Sequence, residues 1–136
     1  MIFDSNVIID LTNGGASDCF LENIARLGAS NSLFVNEIIF AEISGNYPTA
    51  EDVAELLEGF ALRTVRLSLT DCHRAGGAFL RYRRNGGVRS SILPDFLIGA
   101  QAANQGWSIV TRDRKGFATY FPEVELIDPY TDSGKA

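Results

Sequence analysis

The chain has 136 residues, 46% of them hydrophobic and 21% charged, with a formal net charge of −5. A chain of this length fits one compact domain that can hold a core without staples, and its longest apolar runs, such as Val7-Ile8-Ile9 and Phe96-Leu97-Ile98, fall far short of the ~20 residues that cross a bilayer. Two cysteines outside any CxxC pair and a single histidine argue against a disulfide framework and exclude a two-histidine zinc site, leaving reduced thiols in a cytoplasmic protein as the expectation.

Met1-Ile2-Phe3 is a short apolar start, read as a strand ending at Asp4; it has no basic region or cleavage pattern, so no signal peptide is expected. A first helix follows through Val7, Ile8, Ile9 and Leu11 and breaks at the turn Asn13-Gly14-Gly15. Ser17 or Asp18 can cap a second helix from Cys19 to Leu27, whose Phe20, Leu21, Ile24 and Leu27 recur at helical spacing. Leu33-Phe34-Val35 reads as a buried strand, and Asn36 as the cap of a helix running to about Ser44. Gly45-Asn46-Tyr47-Pro48 ends it. Thr49, with Asp52 three residues on, opens the next helix, striped by Val53, Leu56, Leu57 and Phe60.

Thr64-Val65-Arg66-Leu67 is the next expected strand. A long helix from Thr70 to Asn85 follows, capped by Thr70 or Asp71 and closed by Gly86-Gly87. Pro94 presets the first turn of a helix that stops at Gly106. Trp107–Thr111 and Val124–Ile127 are the last two strands, and the polar tail after Pro129 is expected to fray. Strands thus alternate with helices from end to end, which argues for a three-layer α/β/α sandwich with a central parallel sheet: one domain over residues 1–130 and a tail over 131–136.

Open parallel sheets bind ligands beyond the carboxyl ends of their strands. Asp4 follows the first strand, Asp113 lies two residues beyond the Trp107–Thr111 strand, and Asp95 sits at a helix start behind Pro94. Glu42 lies inside an otherwise apolar helix, where Phe40, Ala41 and Ile43 imply partial burial. Singly, each has a plainer role: turn, cap, loop charge. Gathered at one sheet edge they would repel, and a hard divalent cation with oxygen ligands would compensate. Such ions activate water for in-line attack on a phosphodiester, chemistry that needs no Ser, Cys or His nucleophile. Asp10 and Glu37, also near, are read as structural.

At this point the residues resemble a known family. Asp4-Ser5-Asn6-Val7-Ile8-Ile9-Asp10 resembles the opening D-[ST]-N motif of PIN domains, especially VapC-type toxins of toxin–antitoxin pairs. Asn36-Glu37-Ile38-Ile39-Phe40-Ala41-Glu42 is similar to their second motif, Leu93–Ala102 to the third, and Thr111-Arg112-Asp113-Arg114-Lys115-Gly116-Phe117 to the fourth. The resemblance implies a PIN-like fold, a Mg²⁺- or Mn²⁺-dependent endoribonuclease that inhibits translation, a cognate antitoxin, and a homodimer or higher assembly. It implies Asp4, Glu42, Asp95 and Asp113 as the acidic site, with Asp4, Asp95 and Asp113 as metal ligands. Ser5 and Asn6 would orient Asp4 or a bound water, and Thr111 would position its neighbours. Arg112 stands where Asn is often seen in the family.

The net charge hides an asymmetry. Residues 1–71 hold 11 acidic and 3 basic residues, a net −8, while residues 72–136 hold 6 and 9, a net +3. Phosphate binding needs a local basic surface rather than a basic whole. Arg81, Arg83, Arg84, Arg89 and Arg112 are therefore candidates for RNA contact, with Tyr82 as a platform for a base. Gly76-Gly77 within a helix fits a close helix approach, such as a dimer contact. His73 is read as a surface or helix-entry residue. Two other classes compete. A non-catalytic PIN-like module binding nucleic acid or protein would have lost acidic residues, and all four are present. A phosphoacceptor receiver domain would need a lysine near its last strand, and Lys115 and Lys135 are poorly placed for it.

Overall fold

In the computed structural model, which describes residues 1–90 and 93–131, five short strands form one parallel sheet. They are β1 (Ile2–Phe3), β2 (Leu33–Val35), β3 (Leu62–Thr64), β4 (Ile109–Val110) and β5 (Leu126–Ile127), in the order β3-β2-β1-β4-β5. The register pairs Ile2 with Phe34 and with Ile109, and Phe3 with Val110. Seven helices flank the sheet: α1 (Ser5–Thr12), α2 (Asp18–Ser30), α3 (Glu37–Ile43), α4 (Ala50–Gly59), α5 (Leu69–Arg84), α6 (Pro94–Gln105) and α7 (Lys115–Ala118). Ile2, Phe3, Ile109 and Val110 are all completely buried. Both faces of β1 and β4 are therefore covered, which is why these strands read as unbroken apolar pairs. Among the described residues, no helix is long and apolar enough to cross a membrane.

The helix starts follow local capping chemistry. The side chains of Ser17, Asn36 and Thr49 accept from the backbone N–H groups of Phe20, Ile39 and Asp52. Gly106 closes α6 with a φ of 71°, a left-handed conformation that glycine adopts without strain. Inside the core, Gln101 of α6 is completely buried. It accepts from Asn36 Nδ2 at 2.9 Å and donates to the carbonyls of Val65 and Arg66 at 3.0 and 3.3 Å. One side chain thus ties α6 to the cap of α3 and to the chain leaving β3.

Several expectations are corrected. The third strand lies at Leu62–Thr64, two residues earlier than read, because the carbonyls of Val65 and Arg66 turn to Gln101 and the Leu67 N–H donates to Glu37. The cap of α5 is Ser68, not Thr70 or Asp71: Ser68 Oγ accepts from the Asp71 N–H and Asp71 Oδ2 accepts from the Ser68 N–H, a reciprocal box. The short helix α7 was not anticipated. The close approach expected at Gly76-Gly77 is not made within the chain, since among the described residues a Cβ at either position would meet nothing within 4 Å. The start of the expected frayed tail is instead docked: Tyr130 stacks on Phe20 with ring centroids 4.7 Å apart, and Asn23 Nδ2 donates to the carbonyls of Pro129 and Thr131. Residues 132–136 of that tail lie outside the described residues.

Candidate active site

Strand order reverses between β1 and β4. The chain proceeds from β1 outward to β2 and β3, then returns on the other side to build β4 and β5. A crevice at the carboxyl ends of β1 and β4 is where such sheets bind ligands. Asp4 leaves β1 there, its N–H donating to the Val110 carbonyl at 2.9 Å, and Thr111 leaves β4 beside it.

Asp4 is 5% exposed and held from several sides. Its Oδ1 accepts from the Ser5 N–H at 2.9 Å, and its Oδ2 accepts from Thr111 Oγ1 at 2.9 Å and from Asn6 Nδ2 at 3.3 Å. Thr111 Oγ1 in turn accepts from the Asp113 N–H at 3.0 Å. One buried hydroxyl therefore holds both the Asp4 carboxylate and the backbone of Asp113. Asp113 Oδ1 accepts from the Gly116 N–H at 3.3 Å, which opens α7 under the acidic loop.

Asp95 stands in the first turn of α6, directly after Pro94. The helix dipole favours a negative charge there. A Cβ at Gly116 would run into Asp95 Oδ2 and lie 3.2 Å from Asp113 Oδ2, so these two carboxylates converge over a glycine that leaves them room. Glu42 corrects the burial expected of it. Ile39 and Ile43 form the buried face of α3, and Glu42 stands on its solvent side, where the side chain of Ser5 favours its ionised form.

The charges of these four groups act on one another. Burial, then repulsion from Asp4, Asp113 and Glu42, pushes Asp95 up to about 6. Burial also raises Asp4, outweighing its hydrogen bonds from Thr111 and Ser5, with repulsion from Asp113 adding and Arg112 opposing. Partial desolvation raises Glu42 even on the solvent side of α3, and Asp4 adds to it against the side chain of Ser5. A carboxylic acid pushed toward neutrality by burial and then by three like charges is a group for which a cation would compensate.

The donor set suits a hard divalent ion, since every candidate ligand is an oxygen. The buried Asn6 Oδ1, beside Asp4, has no hydrogen-bond partner, so a polar atom at the same edge stands ready for a ligand or its water. Among the described residues, no three carboxylates close on a single point in their present positions. The acidic side chains are neighbours in charge that would have to draw inward around an ion.

A family model for the PIN domain matches residues 1–121. The chain belongs to the PIN domain family. Its fold is similar to a chain of the Rickettsia felis VapBC2 complex bound to a DNA fragment from their promoter, at 21% identity and a TM-score of 0.71, covering 93% of this chain and 97% of that one. It is also similar to DNA-bound VapBC from Salmonella typhimurium, at 19% and 0.69, covering 94% and 96%, and to FitAcB from Neisseria gonorrhoeae, at 17% and 0.65, covering 95% and 97%. No curated protein matches the sequence.

Other residues singled out in the sequence have definite places in this PIN fold. Asp10 Oδ2 pairs with Arg112 Nη1 at 2.8 Å and accepts from the Tyr130 hydroxyl. Glu37 Oε1 accepts from the Leu67 N–H at 2.6 Å and its Oε2 pairs with Arg66, tying α3 to the chain after β3. Arg81, Arg84 and Arg89 are exposed. Arg83, also exposed, donates to the carbonyls of Gly87 and Arg89. Tyr82 corrects its expected role as a base platform. Its ring is stacked by Phe79, met edge-on by Phe96 and Tyr120, and crossed by Gly87, where a Cβ would run into it. That packing brings the basic end of α5 against the first turn of α6, where Asp95 sits.

Three residues escaped sequence reasoning. Gly116 escaped because nothing marks a glycine under a neighbouring carboxylate except its spacing from Asp113. Gln101 escaped because a glutamine in an alanine-rich helix reads as surface. Tyr130 escaped because it lies in an apparent tail.

Proposed function

We propose that this PIN protein is a Mg²⁺- or Mn²⁺-dependent endoribonuclease, acting in the cytoplasm as the toxin of a toxin–antitoxin pair. The observation that carries the reading is that Asp4, held by Thr111, and Asp95 and Asp113, converging over Gly116, stand with Glu42 at the switch point of the sheet, where burial and then like charges push Asp95 up to about 6. Asp4, Asp95 and Asp113 would hold the cation. When bound, such an ion lowers the pKa of water and offsets charge on the phosphate oxygens.

The remaining steps belong to the chain's own side chains. Thr111, Asn6 and the Ser5 N–H lock the Asp4 carboxylate so that its orientation costs nothing at the moment of reaction. Glu42, at the rim and raised above the usual carboxylate range, is the group left to take the proton of the attacking water. The exposed Arg81, Arg84 and Arg89, with Arg83 and Arg112, would draw the RNA backbone toward the pocket. The antitoxin partner and the homodimer rest on likeness to the VapBC and FitAcB complexes.

The test is cleavage of a structured RNA by purified protein with Mg²⁺ or Mn²⁺, repeated with EDTA. Cutting should require the ion and fall at least 100-fold in Asp4→Asn and Asp95→Asn. Glu42→Gln should bind the ion and still cut slowly. Metal-independent cutting, or full activity in either Asn variant, would refute the reading. Tight RNA binding with no cutting would favour a non-catalytic binding module.

A further inference from the structure

Arg112 lies between Thr111 and Asp113 in sequence, so its backbone is part of the acidic site. Its side chain is 57% exposed, yet it is tethered: Nη1 lies 2.8 Å from Asp10 Oδ2. The same Asp10 oxygen accepts from the Tyr130 hydroxyl. Tyr130 is itself fixed, its ring stacked at 14° on Phe20, which is 1% exposed. The segment carrying it is clamped by Asn23, 3% exposed, whose Nδ2 donates to the Pro129 and Thr131 carbonyls at 2.8 and 2.9 Å. A continuous chain of contacts thus runs from the buried face of α2, through Tyr130 and Asp10, to the guanidinium of Arg112, whose backbone lies between Thr111 and Asp113 of the acidic site.

An ion pair whose guanidinium is 57% exposed contributes little to stability by itself, so the Arg112 arm of this shared carboxylate is poorly explained as a stability device. It is well explained as a jig. Asp10 engages one nitrogen of a planar fork whose remaining donors match a phosphate. Arg112 is also the positive charge that bears on Asp4. We propose that Arg112 contacts the phosphate at the acidic pocket and that Asp10 and Tyr130 are the positioning residues that aim it. The proposal rests on the nuclease reading for its substrate, and it deepens that reading by assigning a role to the C-terminal segment.

The test uses the full chain and a short single-stranded RNA. Binding is followed by fluorescence anisotropy in EDTA across a salt series, and cleavage kinetics are followed with Mn²⁺. Arg112→Ala should weaken binding about three- to tenfold and lower the salt slope by about 0.7, the signature of one lost phosphate contact on a single strand. Tyr130→Phe changes no charge and should lower kcat/KM several-fold. Asp10→Asn removes a negative charge, which by itself would favour RNA, so a loss of kcat/KM there is diagnostic of misplaced aim. In an Arg112→Ala background neither change should have any further effect, a coupling that a general loss of fold stability would not produce. Equal losses in both backgrounds, or no loss in either single variant, would overturn the proposal. A wild type that binds RNA with these couplings in the salt series but never cuts it would remove the nuclease reading and keep the jig. A wild type that cuts but shows no coupling would do the reverse, and one that does not bind RNA would remove both.

Discussion

Thr111 shows how a site is held by one atom. Its hydroxyl donates to Asp4 Oδ2 and accepts from the Asp113 N–H within a fully buried side chain. Thr111→Val keeps the shape and removes both of these bonds and the one accepted from Asn6 Nδ2; it should cost about 1–3 kcal/mol in chemical denaturation, because Asp4 stays buried with fewer donors. Thr111→Ser should restore most of that. Asp95 yields a pH prediction. Its carboxyl is raised from 3.8 to about 6 in the fold, so the folded state holds a proton that the unfolded chain releases. With no divalent ion, this group's contribution is present below about pH 4 and lost as pH rises to about 6. Asp95→Asn should therefore stabilise the ion-free protein at neutral pH by about 1–2 kcal/mol, after allowing for solvent screening of a partly exposed group. It should change little at pH 4. Melting curves at the two pH values check this, and a variant no more stable at pH 7 would contradict the repulsion. Gly116→Ala should leave the melting temperature within a few degrees but displace Asp95 Oδ2, measured as weakened Mn²⁺ binding. Asp4, Asp95 and Asp113 are legible as candidates because each follows a strand or opens a helix, and Glu42 because it interrupts an apolar helix. The room Gly116 leaves could not, since it depends on a side chain twenty-one positions away.

Among the elements, α5 separates local from tertiary information. Its body and its end at Gly86-Gly87 are legible in the sequence. Its start lies earlier than expected because Thr70 and Asp71 are themselves good caps, which leaves Leu69, 89% exposed, outside the helix that it opens. Ser68→Ala should lose about 0.5–2 kcal/mol of stability with no change in metal affinity, since the box it breaks is local. The strand β3 was shifted for a related reason. Val65 and Leu67 look like strand residues, yet their backbone partners include Gln101 and Glu37 as well as β2. Such long-range bonds from side chain to backbone leave no mark in local pattern. The four-residue α7, set among charged residues, has no periodicity to read; it exists because Asp113 receives the Gly116 N–H and Phe117 is buried.

At the scale of the whole molecule, the parallel sheet was legible because strand and helix patterns alternate, and a parallel pair needs a crossover. The order β3-β2-β1-β4-β5 was not, because nothing local says on which side of β1 the returning strand will lie. That order puts Asp4 and Thr111 side by side and so makes a site of scattered residues. It also joins the acidic first half of the chain to the more basic second half at one edge, giving a negative pocket beside positive rims. The central claim is that Asp4, Asp95 and Asp113 share a divalent cation. Calorimetric titration of the full chain with Mn²⁺ at pH 6 and pH 7.5 tests it most directly. One or two ions should bind, with proton release at pH 6 as Asp95 ionises, tighter binding at pH 7.5, and loss of binding in Asp95→Asn. Equal Mn²⁺ affinity in wild type and Asp95→Asn, or no binding at either pH, would contradict it.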